Sequence, residues 1–143
     1  MSTLDLETAR RIVAGARAHA REAGLKPLTV VVLDGGGHVV AVEREDGSSN
    51  KRFEVGFGKA HGALSLGMGS RSLMARAEQQ PFFIAAVTSA VGGALVPVPG
   101  GVLVRDAEGT LLGAVGITGD TSDNDEAAAV AGIEAAGLSA QVD

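Results

Sequence analysis

The residues of this chain best equipped for chemistry are its three histidines, Lys59 and an acid-rich turn near the C-terminus. Cysteine is absent, so disulfides and thiolate metal sites are excluded, and imidazole is the strongest metal donor left. His19 lies three residues past Ala16, at the edge of an apolar helical stripe, where a half-buried packing residue is expected. His38 follows a turn and is expected in solvent. His61 stands on one flank of a helical stretch, seven residues after Glu54, so both side chains leave the helix on one side. Lys59 is expected on the opposite flank. No H-E-x-x-H pair and no G-x-S-x-G elbow occurs, which argues against a dedicated zinc site and a serine nucleophile. Lys59, His61 and Glu126 could instead move protons on a small carboxylate or carbonyl substrate without a cofactor. Arg44, at the end of a hairpin with Glu45 and Asp46, reads as a solvated strand end, although an arginine there can grip a carboxylate with two parallel N–H bonds.

The acid-rich turn sits in "VGITGDTSDNDEAAAVAG", Val115 to Gly132. A phosphate loop needs Lys and a hydroxyl after its last glycine, and neither is in place. Counted from Asp120, the sixth and twelfth positions are Asp125 and Ala131, so an EF-hand is excluded as well. A helix cap fits: Ser122 or Asp123 accepts from free amides of the first turn, while Asp125 or Glu126 reaches back. Three acids there also complement the positive end of the helix dipole. The glycines Gly116 and Gly119 leave room for a ligand, so the turn is expected both to cap the helix and to wall a pocket, with Glu126 facing the strand ends.

These groups must be positioned by one domain, residues 1–143. Asp5 caps a first helix with Leu6, Ala9, Ile12, Val13, Ala16, Ala20 and Ala23 on one stripe, and Gly24 ends it. "LTVVVLDGGGHVVAVERED" reads as a hairpin with an Asp-Gly turn. A helix follows from about Asn50, with Phe53, Gly56, Phe57, Ala60, Ala63, Leu64 and Gly67 on one face; its small residues suit close approach of another backbone. A short helix, "SRSLMARAEQQ", has serine caps and is ended or restarted by Pro81. The stretch "PFFIAAVTSAVGGALVPVPGGVLV" suits loops and strands. A second hairpin, "GVLVRDAEGTLLGAVGIT", repeats the turn chemistry of the first, and a last helix runs from about Asp123 to Leu138. The order predicts an α+β fold with a five-stranded antiparallel sheet covered by helices. With net charge −5, no Trp, no Tyr and four Phe, nucleic-acid binding is not expected. The long uncharged stretch, residues 79–104, opens on two glutamines and is broken by prolines and glycine pairs that do not suit a membrane-spanning helix, and the N-terminus carries no signal-peptide pattern, so a cytoplasmic protein is expected. Helices rich in alanine and glycine bury little per residue, and the apolar segments at Phe82-Phe83 and Val96-Val98 point to a homo-oligomer.

Three segments carry a resemblance. "VVVLDGGGHVVAVERED", "GKAHGA" and "VPGGVLVRDAEGTLLGAVGITGDTSDNDEAAAVAGI", in this order, resemble the GlcG/HbpS family of haem-binding and haem-degrading domains, which includes the C-terminal domain of PduO-type cobalamin adenosyltransferases. The resemblance implies a profilin-like sandwich, dimers that assemble into octamers, and binding of haem or a related tetrapyrrole. By motif position Lys59 matches the lysine of K-A, Asp34 the first hairpin aspartate, Gly100-Gly101 the glycine pair that opens a strand, and Asp125-Glu126 the D-E of the last helix. Three positions depart from the pattern: Gly62 replaces a threonine next to His61, Leu103 replaces a proline, and Asp120 replaces the second glycine of the G-G turn. On this resemblance a tetrapyrrole would engage His61 or His19 through its iron and Arg44 or Arg52 through its propionates, with Gly100, Gly101, Gly119 and Asp125 lining the site.

Overall fold

The computed structural model describes residues 3–143. Its elements are α1 (Leu6–Ala23), β1 (Thr29–Asp34), β2 (Val39–Arg44), α2 (Arg52–Leu66), α3 (Ser70–Gln79), α4 (Pro81–Ala90), β3 (Gly101–Arg105), β4 (Leu111–Thr118), α5 (Ser122–Ala135) and β5 (Ser139–Gln141). The strands form one sheet in the order β2-β1-β4-β3-β5, antiparallel throughout. The α+β fold and the five-stranded sheet are as the sequence predicts.

Local signals set the ends of several elements. Asp5 accepts from the Thr8 amide at 2.8 Å and starts α1, and Gly24, at φ 69°, closes it in the left-handed conformation. Both hairpin turns use an aspartate in the same way. Asp34 accepts from the amides of Gly36 and His38, and Asp106 from those of Glu108 and Thr110. Asp34 is therefore a turn residue, and the likeness of the two hairpins is turn chemistry.

Alternation along β1 then divides the core. Val30 and Val32 face α1 and α5 together with Val102, Val104, Val115 and Ile117. Val31 and Leu33 face α2 with Leu103 and Ala114. Helices thus cover both faces, which is why β1, β3 and β4 are almost continuously apolar.

Small residues let α2 lie directly on the sheet. A Cβ at Gly116 would fall 1.9 Å from the Gly56 carbonyl oxygen, and one at Gly101 2.3 Å from the Lys59 carbonyl oxygen. The close backbone approach expected of the α2 face is thus made against β3 and β4.

Three parts differ from the expectation. Residues 81–90 form a helix: Pro81 occupies its first turn, where its missing amide costs nothing, and Leu73, Ile84 and Leu95 make a small separate core between α3, α4 and the following loop. The N-cap of α3 is Gly69, not a serine. The fifth strand follows the last helix and pairs with β3 at the sheet edge.

Candidate functional site

The acid-rich turn is chiefly a cap. Thr121, not Ser122 or Asp123, is the N-cap of α5, and its hydroxyl accepts from the Asn124 amide at 3.2 Å. Asp125 reaches back to the Asp120 amide at 2.9 Å. Asp120 accepts from the Lys26 amide at 2.8 Å, from Asn124 Nδ2 at 2.8 Å and from the Thr121 amide at 2.8 Å, tying the α1–β1 loop to the turn. These donors, the Lys26 amide first, hold the Asp120 carboxyl at about 2, below the ordinary 3.8. Because the folded pKa is depressed, the stability this group contributes is present above pH 3.8 and is lost as pH falls through about 2. Unfolding midpoints measured across that window should fall more steeply for the wild-type chain than for Asp120→Asn; parallel curves would contradict this role.

Glu126 is paired with α3. Its carboxylate, 14 % exposed, is gripped by Arg71 of α3 (Nε–Oε2 3.0 Å, Nη2–Oε1 3.1 Å), and the same guanidinium binds Asp123. The Arg71 charge ties α3 to α5 and occupies the acid expected to wall a pocket.

Lys59 is buried rather than on an open flank. It is 2 % exposed, and its ammonium donates to the Ile117 carbonyl at 2.9 Å and to Asp125 Oδ2 at 3.2 Å. Burial pushes the lysine pKa down and the Asp125 pKa up, against their mutual attraction. Asp125 is therefore committed to the lysine. Gly100 and Gly101 lie under α2: a Cβ at Gly100 would stand 2.8 Å from Lys59 Nζ, and the Gly101 amide donates to Ser70 Oγ at 2.7 Å. The glycine pair makes room for the Lys59 helix and is closed to a ligand in this chain.

His61 has a different environment. Its Nδ1 lies 2.9 Å from the Ala94 carbonyl oxygen, an acceptor only, so Nδ1 carries the proton and Nε2 the lone pair. No hydrogen bond among the described residues engages Nε2. The imidazole stacks on Phe57 (centroids 5.2 Å), and Phe57 stacks on Phe53 (5.7 Å), an aromatic ladder at positions i, i+4 and i+8 of α2. Val42 pairs with Val31 and Val39 with Leu33, so these edge-strand valines share the α2 face of the sheet. Val39 is 49 % exposed, Val42 36 % and Phe53 37 %, leaving an open apolar surface beside His61. Glu54, expected beside His61, lies nearest Lys51 in solvent.

His19, on α1, belongs to the opposite face of the sheet, so within one chain it cannot share a ligand with His61. Lys59, His61 and Glu126 likewise engage separate partners and do not converge as an acid–base set.

Both arginines expected at the site stand at the Thr29 end of the α2 face. Arg44 pairs with Thr29 across the strands and donates to the Ser48 carbonyl. Arg52 donates to Thr118 Oγ1 at 2.8 Å and to Ser49 Oγ at 2.9 Å. Glu45 beside Arg44 is not a solvated strand end: it is 8 % exposed and accepts from the Leu28 amide, Arg17 and Arg21. Among the described residues no group of three or more His, Asp or Glu could hold a metal ion, and no helix is long and apolar enough to cross a membrane.

The sequence matches the HbpS-like family, described as haem degrading protein HbpS-like, over residues 4–134. The chain belongs to the HbpS-like family. Among solved structures, this HbpS-like chain is similar to HbpS at 28 % identity and TM-score 0.79, covering 94 % of this chain and 90 % of the other. It is similar to a PduOC:heme complex at 22 % identity and TM-score 0.83, covering 95 % and 96 %. It is also similar to protein ORFY of Klebsiella pneumoniae at 23 % identity and TM-score 0.85, covering 96 % and 92 %. A comparison with curated proteins gives no match.

Several of these contacts escape a reading of the sequence. Arg71, Ser70 and Thr118 act only across the fold, and nothing near them in the chain marks their partners. The aromatic ladder was legible, since Phe53, Phe57 and His61 recur every four residues, but the phenylalanines read equally well as core.

Proposed function

We propose that this HbpS-like protein binds haem or a related anionic tetrapyrrole on the α2 face of its sheet, with His61 Nε2 as the donor to iron. The observation that carries the reading is the His61 Nδ1–H bond to the Ala94 carbonyl, which fixes the ring and leaves Nε2 as a lone-pair donor. Phe53, Phe57, Val39 and Val42 supply the apolar surface that a macrocycle needs, and Arg44 and Arg52 the positive charge for its acid groups. Bound there, the group would supply an iron centre for redox chemistry, and the His61 imidazole would hold it. Membership of a family described as haem degrading, and likeness to a fold solved with haem, support the same ligand. A saturable Soret shift on adding haem to the purified protein is expected; no shift at micromolar haem would refute the reading.

Two clefts among the described residues are about 200 and 190 Å³, below the about 300–1,000 Å³ of pockets that bury drug-sized ligands, and neither is lined by His61. The open face therefore needs a cover, and a second subunit is the natural one. α4 presents a further apolar surface, with Phe82 75 % exposed. We infer a homo-oligomer of dimers up to octamers, with Phe82 in a contact between subunits. Light scattering should give a mass of at least twice the 14.3 kDa of one chain, and Phe82→Asp should lower it; a monomer at all concentrations would refute the inference.

A further inference from the structure

Ser48 carries an unexplained hydroxyl. The residue is 6 % exposed, and its Oγ is buried with no hydrogen-bond partner. Such a group is costly unless something pairs with it. Ser48 lines a cleft of about 190 Å³ together with Lys26, Ser49, Arg52 and Gly119, and no carboxylate lines it.

Everything polar on those side chains can donate. The Ser49 hydroxyl accepts from Arg52 Nε, so its own proton remains to give. Arg52 Nη1 is held by Thr118, whereas no hydrogen bond among the described residues uses Arg52 Nη2 or Lys26 Nζ. Asp120, next to Gly119 but not lining the cleft, directs its oxygens to the Lys26 and Thr121 amides and to Asn124 Nδ2, and its charge also acts on Lys26.

The cleft is also held in shape. Arg44 fixes the loop through the Ser48 carbonyl, and Arg52 is steered from two sides. Gly119 sits at φ 142°, and a Cβ there would fall 2.2 Å from the Pro27 carbonyl oxygen, so this wall is bare backbone.

We propose that this cleft binds a small oxyanion, a phosphate or carboxylate group, through Arg52, Lys26 and the hydroxyls of Ser48 and Ser49. Two cations, two hydroxyls and no acid match a ligand made of acceptors and repel one made of donors. The oxyanion has two possible sources: a free small anion, or an acid arm of the tetrapyrrole proposed above. The inference deepens that reading at Arg52, but its test needs no haem.

Inorganic phosphate is titrated into the protein at constant ionic strength set with sodium chloride, and backbone amide resonances are followed by NMR. Saturable shifts are expected at Gly47, Ser48, Ser49, Arg52 and Gly119. Arg52→Gln should weaken binding at least tenfold. Ser48→Ala should weaken it several-fold without lowering the melting temperature, because it removes an unpaired buried hydroxyl; it decides the matter if Arg52→Gln fails to fold. Shifts that do not saturate, that chloride reproduces, or that Ser48→Ala and Arg52→Gln leave unchanged would overturn the proposal. Once the site saturates, a second titration on haem-loaded protein separates the sources. A tenfold loss of phosphate affinity assigns the cleft to the tetrapyrrole arm, and an unchanged affinity assigns it to a free oxyanion.

Discussion

Asp125→Ala is expected to destabilise the protein by about 3–5 kcal/mol, because it strands a buried ammonium. Lys59 is 2 % exposed and has one other acceptor, the Ile117 carbonyl, which cannot neutralise it. Against a total stability of about 5–15 kcal/mol, such a loss brings the chain close to unfolding. Lys59→Met should cost a similar amount by leaving the Asp125 carboxylate unpaired. The double variant Lys59→Met, Asp125→Leu should recover most of the loss, since two apolar side chains of similar volume remove both charges at once. Urea unfolding of the three variants checks this. Single variants within about 1 kcal/mol of wild type would mean that water or a rearrangement reaches the pair.

Gly116→Ala is expected to cost about 3 kcal/mol or more, at the upper end of overpacking effects. Its Cβ would lie 1.9 Å from the Gly56 carbonyl oxygen and 3.0 Å from Ala60 Cβ, so backbone meets side chain with no rotamer to relieve it. α2 would have to lift from β4. Gly56→Ala, on the other side of the same contact, meets Val31 Cγ2 at 3.2 Å and the Gly116 oxygen at 3.3 Å, and should cost far less. Equal losses from the two substitutions, measured by thermal or urea unfolding, would show that the contact does not set the α2–sheet distance.

The parts of this fold that sequence reveals are those set by neighbours in the chain. Asp5, Gly24 and the paired Asp-Gly hairpins act within a few residues, so α1 and the four long strands were readable. α4 was not, because Pro81–Ala90 is apolar nearly all round and shows no stripe, and its packing on α3 is tertiary. β5 is three residues, Ser139–Gln141, with no strand-forming residue among them.

At the site the same division holds. Residue type and place in the sequence suffice to nominate His61, Arg44 and Arg52 as candidates, but they put Lys59 on a flank because its partner Asp125 is 66 residues away. The sequence marks Glu126 as a cap or pocket acid and misses its partner, because Arg71, 55 residues distant, gives no local sign of its role. The sequence announces the cap but not its residue, since Thr121, Ser122 and Asp123 are all good caps and only the structure shows Thr121 accepting from the Asn124 amide.

We propose His61 as the iron donor of a tetrapyrrole site on the α2 face. Titrating haem into the wild-type, His61→Ala and His19→Ala proteins, with the Soret band as readout, tests it most directly. His19→Ala should titrate as wild type does, while His61→Ala should shift the band position and weaken binding at least tenfold, about 1.4 kcal/mol. A His61→Ala protein that binds haem with the wild-type spectrum and affinity would contradict the account.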